Sequence, residues 1–135
     1  MKVVDASALL GWLLAPDPPE RYQRLMDGHM SGADPLVAPE LIHYEVANVL
    51  VRGAGLDAEA AEQGYRNFAD LEIETFSLGH DEYAAAVALA AAWGLTVYDA
   101  SYVVLALRLD TEFVTADRRL AERLPPGERG RAVVL

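Results

Sequence analysis

Four carboxylic acids in this sequence stand where a shared site could use them. V-V-D-A-S ends a short apolar run on Asp5, T-V-Y-D-A-S-Y places Asp99 after a second run, and F-V-T-A-D-R-R-L places Asp117 after a third. The fourth, Glu45, lies within P-E-L-I-H-Y-E-V-A-N-V-L-V-R, a helical pattern in which its neighbours one turn away are Leu41, Ile42, Asn48 and Val49. A carboxylate on so apolar a stripe must be protonated, paired, bound to a cation, or snorkelled to solvent.

Capping is the plainer account of the aspartates. Aspartate is among the best N-cap residues, and each of the three precedes a helical pattern. Capping does not account for Glu45. Together the four acids suit a hard divalent cation, Mg2+ or Mn2+, which prefers carboxylate oxygens, keeps waters and needs neither Cys nor His. Without one, clustered carboxylates would repel and raise one another's pKa. Ser7 and Thr115, each two residues from an aspartate, can add hydroxyls to such a site or bond the local backbone. Asn48 shares a helix face with Glu45 and can hydrogen-bond it or a ligand.

The elements that must position these residues alternate. Strands are expected at Lys2–Val4, Leu36–Val37, Ile73–Phe76, Thr96–Tyr98 and Glu112–Thr115, with an edge strand at Ala132–Leu135. Helices are expected at Ser7–Leu14, Pro19–Met30, Glu40–Arg52, from an Asp57 N-cap to Asp70, Asp81–Trp93 with Gly94 as C-cap, Ala100–Arg108 and Arg118–Leu124. Pro18 or Pro19 suits the first turn of the second helix. Such alternation implies an α/β fold: a three-layer α/β/α sandwich around a parallel sheet of about five strands. Ligands in such sheets bind beyond the carboxyl ends of the strands, at a topological switch point. Asp5, Asp99 and Asp117 would emerge at that edge.

Length and composition fit one domain spanning residues 1–135, with 53% hydrophobic and 24% charged residues. The absence of cysteine excludes disulfides and thiolate metal sites. Asp5 interrupts the stretch a signal peptide would need, and no apolar run reaches the roughly 18 residues of a membrane span. A cytoplasmic protein with no membrane partner is expected. The net charge of −10 argues at first against nucleic acid. Bound cations would offset part of it, and Arg108, Arg118, Arg119, Arg123, Arg129 and Arg131 concentrate basic charge in the last quarter. His29, His43 and His80 form no catalytic set: His43 points away from Glu45's face, and the other two suit surface or capping roles. Trp12, Trp93, Tyr65, Tyr83 and Phe68 fall in amphipathic helices and read as core.

Four motifs in this order, V-V-D-A-S, E-V-A-N-V, Y-D-A-S-Y-V-V-L-A and T-A-D-R-R-L, run through the whole chain. In them the chain resembles the PIN-domain family, specifically the small VapC-type ribonuclease toxins of prokaryotic toxin–antitoxin pairs. The resemblance implies a parallel α/β/α fold and a metal site built from Asp5, Glu45, Asp99 and Asp117, with Ser7, Asn48 and Thr115 in support. It further implies in-line, Mg2+- or Mn2+-dependent cleavage of RNA leaving a 5′-phosphate and a 3′-hydroxyl, a cognate antitoxin and a homodimer. Arg118 or Arg119 could contact the RNA backbone. The helix carrying Glu45 is apolar nearly all round, which fits burial against a partner or a wholly interior position.

Other classes also gather acids at strand ends. A receiver-like signalling module would call for a lysine late in the chain, but Lys2 is the only lysine. A haloacid-dehalogenase phosphatase would carry D-x-D at the first strand, where this chain has D-A-S. A DNA nuclease of related fold, or an inactive PIN-like binding module, fits the same residues.

Overall fold

Val3 and Val4 of β1 (Lys2–Val4) are wholly buried because strands flank them on both sides. In the computed structural model, which describes residues 1–135, β1 pairs with β2 (Leu36–Pro39) through Val3↔Val37 and with β4 (Phe113–Thr115) through Val3↔Phe113. Strands β3 (Glu74–Phe76) and β5 (Ala132–Val134) close the two edges, and the all-parallel order is β3-β2-β1-β4-β5. Sheets covered on both faces need strands that are apolar throughout, not alternating. Val3, Val4, Leu36, Val37, Ala38, Phe113 and Val114 meet that need; none is more than 1% exposed.

The crossovers supply the covering layers. Helices α1 (Ala6–Leu13) and α2 (Glu20–Met30) join β1 to β2, and α3 (Leu41–Arg52) and α4 (Ala58–Ala69) join β2 to β3. α1 packs against α2, α3 and α4 in one layer. The chain then crosses back through α5 (His80–Trp93) and α6 (Val97–Arg108), which pack on each other; α6 lies across β1, β2 and β4. α7 (Arg118–Arg123) and the short α8 (Pro126–Arg129) lead to β5. Since the chain leaves β1 in one direction and later resumes at β4 on its other side, the switch point lies between β1 and β4.

The α/β/α sandwich is as expected, and so are the Asp57 cap, whose carboxylate accepts from Ala60 N at 2.8 Å, and the left-handed Gly94 at φ 66°. One expected strand is not there. Thr96–Tyr98 opens α6: Thr96 is the N-cap, and Asp99 sits three residues inside the helix. The short apolar run misled, whereas Thr-x-x-Asp just after a C-cap glycine is a helix-start signature. Pro19 stands outside α2 as its N-cap, and α8 had no counterpart in the sequence reading. Tyr83, expected in the core, is 52% exposed. No single helix is long and apolar enough to cross a membrane.

Candidate active site

The chain leaves β1 at Asp5 and turns at once into α1, so Asp5 is both strand end and N-cap. Its Oδ1 accepts from Ala8 N at 3.0 Å and from Ser7 Oγ at 2.6 Å, while its own N–H donates to Val114 O at 3.1 Å. Both side-chain bonds end on Oδ1, so Oδ2 remains for another partner. Only 7% of Asp5 is exposed, and burial pushes its pKa up; the Ser7 and Thr115 hydroxyls and the local amides pull it partly back.

The β4 end is knitted to this turn by hydroxyls. Ser7 Oγ accepts from Ala116 N at 2.9 Å and stands 3.4 Å from Thr115 Oγ1. Thr115, wholly buried, accepts from Asp117 N at 2.9 Å. Asp117 thus sits at the same sheet edge, but it is exposed, and its Oδ1 caps α7 through Arg119 N at 2.8 Å and Leu120 N at 3.2 Å. The switch point is therefore lined by Asp5, Ser7 and Thr115, with Asp117 at its rim.

Glu45 and Asp99 arrive on helices. Glu45 is half-buried on α3, and its Oε2 accepts from the Tyr102 hydroxyl of α6. Burial raises its pKa, the Tyr102 bond opposes this, and the charges of Asp5 and Asp99 raise it further. The same three acids act on Tyr102: burial first, then Glu45, Asp5 and Asp99, hold its phenol far above the ordinary value. Asp5, Glu45 and Asp99 therefore share one electrostatic neighbourhood. Asp99 is half-buried, and its Oδ2 accepts from Thr96 Oγ1 at 2.7 Å. It does not emerge from a strand end as expected, nor is it an N-cap; the first turn of α6 carries it.

None of the four acids is ion-paired to a basic side chain. Each has one oxygen tied by a hydroxyl or backbone amide and one left over. The side chains do not close into a cage of three or more ligands. That combination fits a hydrated divalent cation, since Mg2+ keeps several waters and takes one or two carboxylates in place of an all-protein shell.

The remaining candidates separate clearly. Asn48 is exposed one turn beyond Glu45. Arg118 and Arg119 are exposed beside Asp117 and pair with no acid, whereas the other four arginines of the last quarter are occupied. His43 bonds Tyr65 Oη at 3.0 Å, away from the acids. His29 is not a surface residue: it is half-buried, takes the Leu36 N–H on Nδ1 at 3.1 Å and reaches Leu71 O at 2.7 Å through Nε2, bracing α2 against β2. The residue that sequence reading missed is Tyr102, assigned no role although it lies one turn from Asp99.

Comparison with known proteins agrees with this geometry. The PIN domain family model matches residues 2–123. The chain is 35% identical over 130 residues to Ribonuclease VapC3 of Pyrobaculum aerophilum, covering 91% of this chain and 94% of that protein. It is also 35% identical over 127 residues to VapC ribonuclease Mb0985 of Mycobacterium bovis and Ribonuclease VapC9 of Mycobacterium tuberculosis, covering 90% of each chain. The crystal structure of PAE2754 from Pyrobaculum aerophilum superposes with a TM-score of 0.69 at 25% identity, covering 98% of this chain and 87% of that one. With its five-stranded parallel sheet, its acids at the switch point and these relatives, the chain belongs to the PIN domain family.

Proposed function

We propose that this PIN-domain protein is a metal-dependent endoribonuclease and the toxin of a toxin–antitoxin pair, acting in the cytoplasm. The observation that carries the reading is the Asp5–Glu45–Asp99 group: Asp5 at the switch point, Glu45 tied to α6 through Tyr102 and Asp99 one turn away on that helix, none of them paired with a basic side chain. The names of the VapC relatives supply the substrate class, RNA.

One or two of Asp5, Glu45 and Asp99 would bind Mg2+ or Mn2+ directly, with the remaining acids, Asp117 at the rim included, reaching it through its waters. Bound there, the cation would supply water activation and charge stabilisation at the scissile phosphate. The chain's own residues do the positioning. Ser7 holds Asp5 in orientation, with Thr115 beside the Ser7 hydroxyl, and both hydroxyls favour the charged form of Asp5. Arg118 and Arg119, free of acidic partners, offer cations to the RNA backbone next to Asp117.

Two apolar surfaces support the expected partners. Tyr44 and Val51 of α3 are 77% and 67% exposed. Val51 borders a groove of about 520 Å3 between α3 and α4, together with Ala47, Leu56 and Tyr65. We assign this groove to the antitoxin. On α5 and the start of α6, Tyr83, Val97 and Tyr98 line a second hollow, with Val87 exposed one turn along α5 from Tyr83, and we assign this side to the homodimer.

The test is cleavage of structured and unstructured RNA by purified protein with Mg2+, Mn2+ or EDTA, with DNA of the same sequence in parallel. Metal-dependent RNA cleavage is expected. Cleavage of DNA alone would replace the substrate, and no metal-dependent cleavage of either would overturn the reading.

A further inference from the structure

Tyr102 is 1% exposed, yet its hydroxyl reaches out of the core to Glu45 Oε2, 57 residues earlier in the chain. Its ring is pinned against Phe113 of β4, itself 1% exposed, with ring centroids 6.2 Å apart and planes at 30°. Asp99 lies three residues before it on α6, one turn along the same helix face. One rigid helix therefore carries one acid of the site directly and grips a second through a buried phenol. The aspartates at positions 5 and 99 are gripped by hydroxyls from their own turns, Ser7 and Thr96. Glu45 has no such hydroxyl in its own turn and takes one from a helix 57 residues away.

We propose that Tyr102 is a positioning residue for the metal centre, fixing the Glu45 carboxylate relative to Asp99 so that one glutamate oxygen is spent on the phenol and the other is held for the cation. This rests on the metal-nuclease reading above. The physical basis is reach and rotamer freedom. Glu45 has three side-chain torsions, and a half-buried carboxylate with no partner would sample several of them or turn to solvent. A hydrogen bond to a side chain locked by core packing selects one. Partners that orient metal ligands without touching the metal are commonly worth about 10–100-fold in affinity or activity. The alternative is that Glu45 merely satisfies a buried phenol, in which case the pair matters to stability and not to metal.

Mn2+ binding to the full chain, followed by the electron paramagnetic resonance signal of free Mn2+ and without RNA, separates the two. Tyr102→Phe keeps the ring and its packing on Phe113 and removes only the hydroxyl. We expect it to weaken Mn2+ binding at least tenfold with little change in melting temperature, and to lower kcat for RNA more than it raises KM. Glu45→Gln should weaken Mn2+ binding at least as much, and adding Tyr102→Phe to it should cost nothing further, since the phenol would act only through the carboxylate. Glu45→Asp, one methylene short of the phenol, should match Tyr102→Phe and serves in its place if that variant does not fold. Wild-type Mn2+ affinity in Tyr102→Phe or Glu45→Asp overturns the assignment, as does a full additional loss in the double variant. If the unmodified protein binds no Mn2+, the metal reading and this assignment fall together; if it binds and the variants bind equally, only the assignment falls.

Discussion

Ser7 Oγ donates to Asp5 Oδ1 at 2.6 Å and accepts from Ala116 N at 2.9 Å, so one hydroxyl joins the ends of the two strands that meet at the switch point. Removing it breaks both bonds at once. Ser7→Ala should cost about 1–2 kcal/mol in stability and leave the Ala116 amide without its acceptor. It should also cut RNA cleavage roughly tenfold, since Asp5 loses a donor that holds it in place. Denaturant melts and initial rates on one RNA check the pair of effects. Unchanged rates with lowered stability would confine Ser7 to the scaffold.

Asp5→Asn separates stability from activity. Asparagine retains the cap on Ala8 N and removes a buried, uncompensated charge. Cleavage should be abolished, while the metal-free melting temperature holds or rises; a gain on the order of 1 kcal/mol would lift it by about 4 °C in a chain of this size. Calorimetry in EDTA is the measurement. A large fall would mean that Asp5 serves the fold alone.

The raised pKa values of Asp5 and Glu45 fix the sign of a pH effect. Burial raises both above their unfolded values, so the metal-free folded state binds more protons than the unfolded chain. Their contribution is fully present below the unfolded carboxylate range and is lost as pH rises through the folded pKa values. Asp34 runs the other way: the N-terminal ammonium and Lys2 lower its pKa, so its contribution is lost on acidification. In EDTA, stability should therefore decline as pH rises from the unfolded carboxylate range through the folded pKa values of Asp5 and Glu45. Mg2+ should restore it at neutral pH, because the cation binds only the charged acids. Melting temperatures across pH, with EDTA or Mg2+, test this. An Asp5→Asn/Glu45→Gln variant should lose both the decline and the rescue; if it keeps them, the acids are not their source.

Where the candidate site residues fall in the fold was partly readable in one dimension because those signals are local. The apolar runs of β1 and β4 mark the central strands, and Asp5 and Asp117 follow them directly. Gly94 and Asp57 announce a helix end and a helix start. What failed was a choice between two short-range readings: T-V-Y is apolar enough for a strand, but Thr96 and Asp99 exchange hydrogen bonds as a helix start. What was not legible was non-local. Nothing around Tyr102 says that its hydroxyl meets a glutamate 57 residues away. Likewise His29 looks like any surface histidine until Leu36 and Leu71 are folded onto it.

Arg118 and Arg119 differ from the other arginines of the last quarter. Arg108, Arg123, Arg129 and Arg131 are spent on Glu82, on the Gly94, Leu124 and Glu122 carbonyls, and on Asp110. Replacing both free arginines by alanine should raise KM for RNA several-fold with little effect on kcat or folding. If each meets one phosphate, the slope of log KM against log salt should fall by about 1.4 for a single strand. An unchanged slope would place RNA elsewhere.

The two apolar surfaces should answer to different partners. Along α3, Tyr44 and Val51 are exposed, and the groove beside them continues through Ala47 and Tyr65 into a second of about 470 Å3 reaching Glu40 and Thr75. Asp57 and Glu62 line the first groove and Glu40 the second, so an amphipathic helix with basic flanks would find both an apolar floor and complementary charge. On α5, Tyr83 and Val87 stand exposed among alanines with no charged residue from Tyr83 to Ala92, a composition suited to close contact with a second copy. Val51→Asp should therefore release a co-expressed small protein encoded beside this one while leaving the isolated chain dimeric and active. Val87→Asp should do the reverse, giving a monomer that still captures that protein. Size-exclusion chromatography of each variant, alone and co-expressed, reads both outcomes, and a cleavage assay shows whether capture inhibits. If Val51→Asp dissociates the dimer, or Val87→Asp releases the small protein, the two surfaces are exchanged; if neither variant changes either mass, both assignments are wrong.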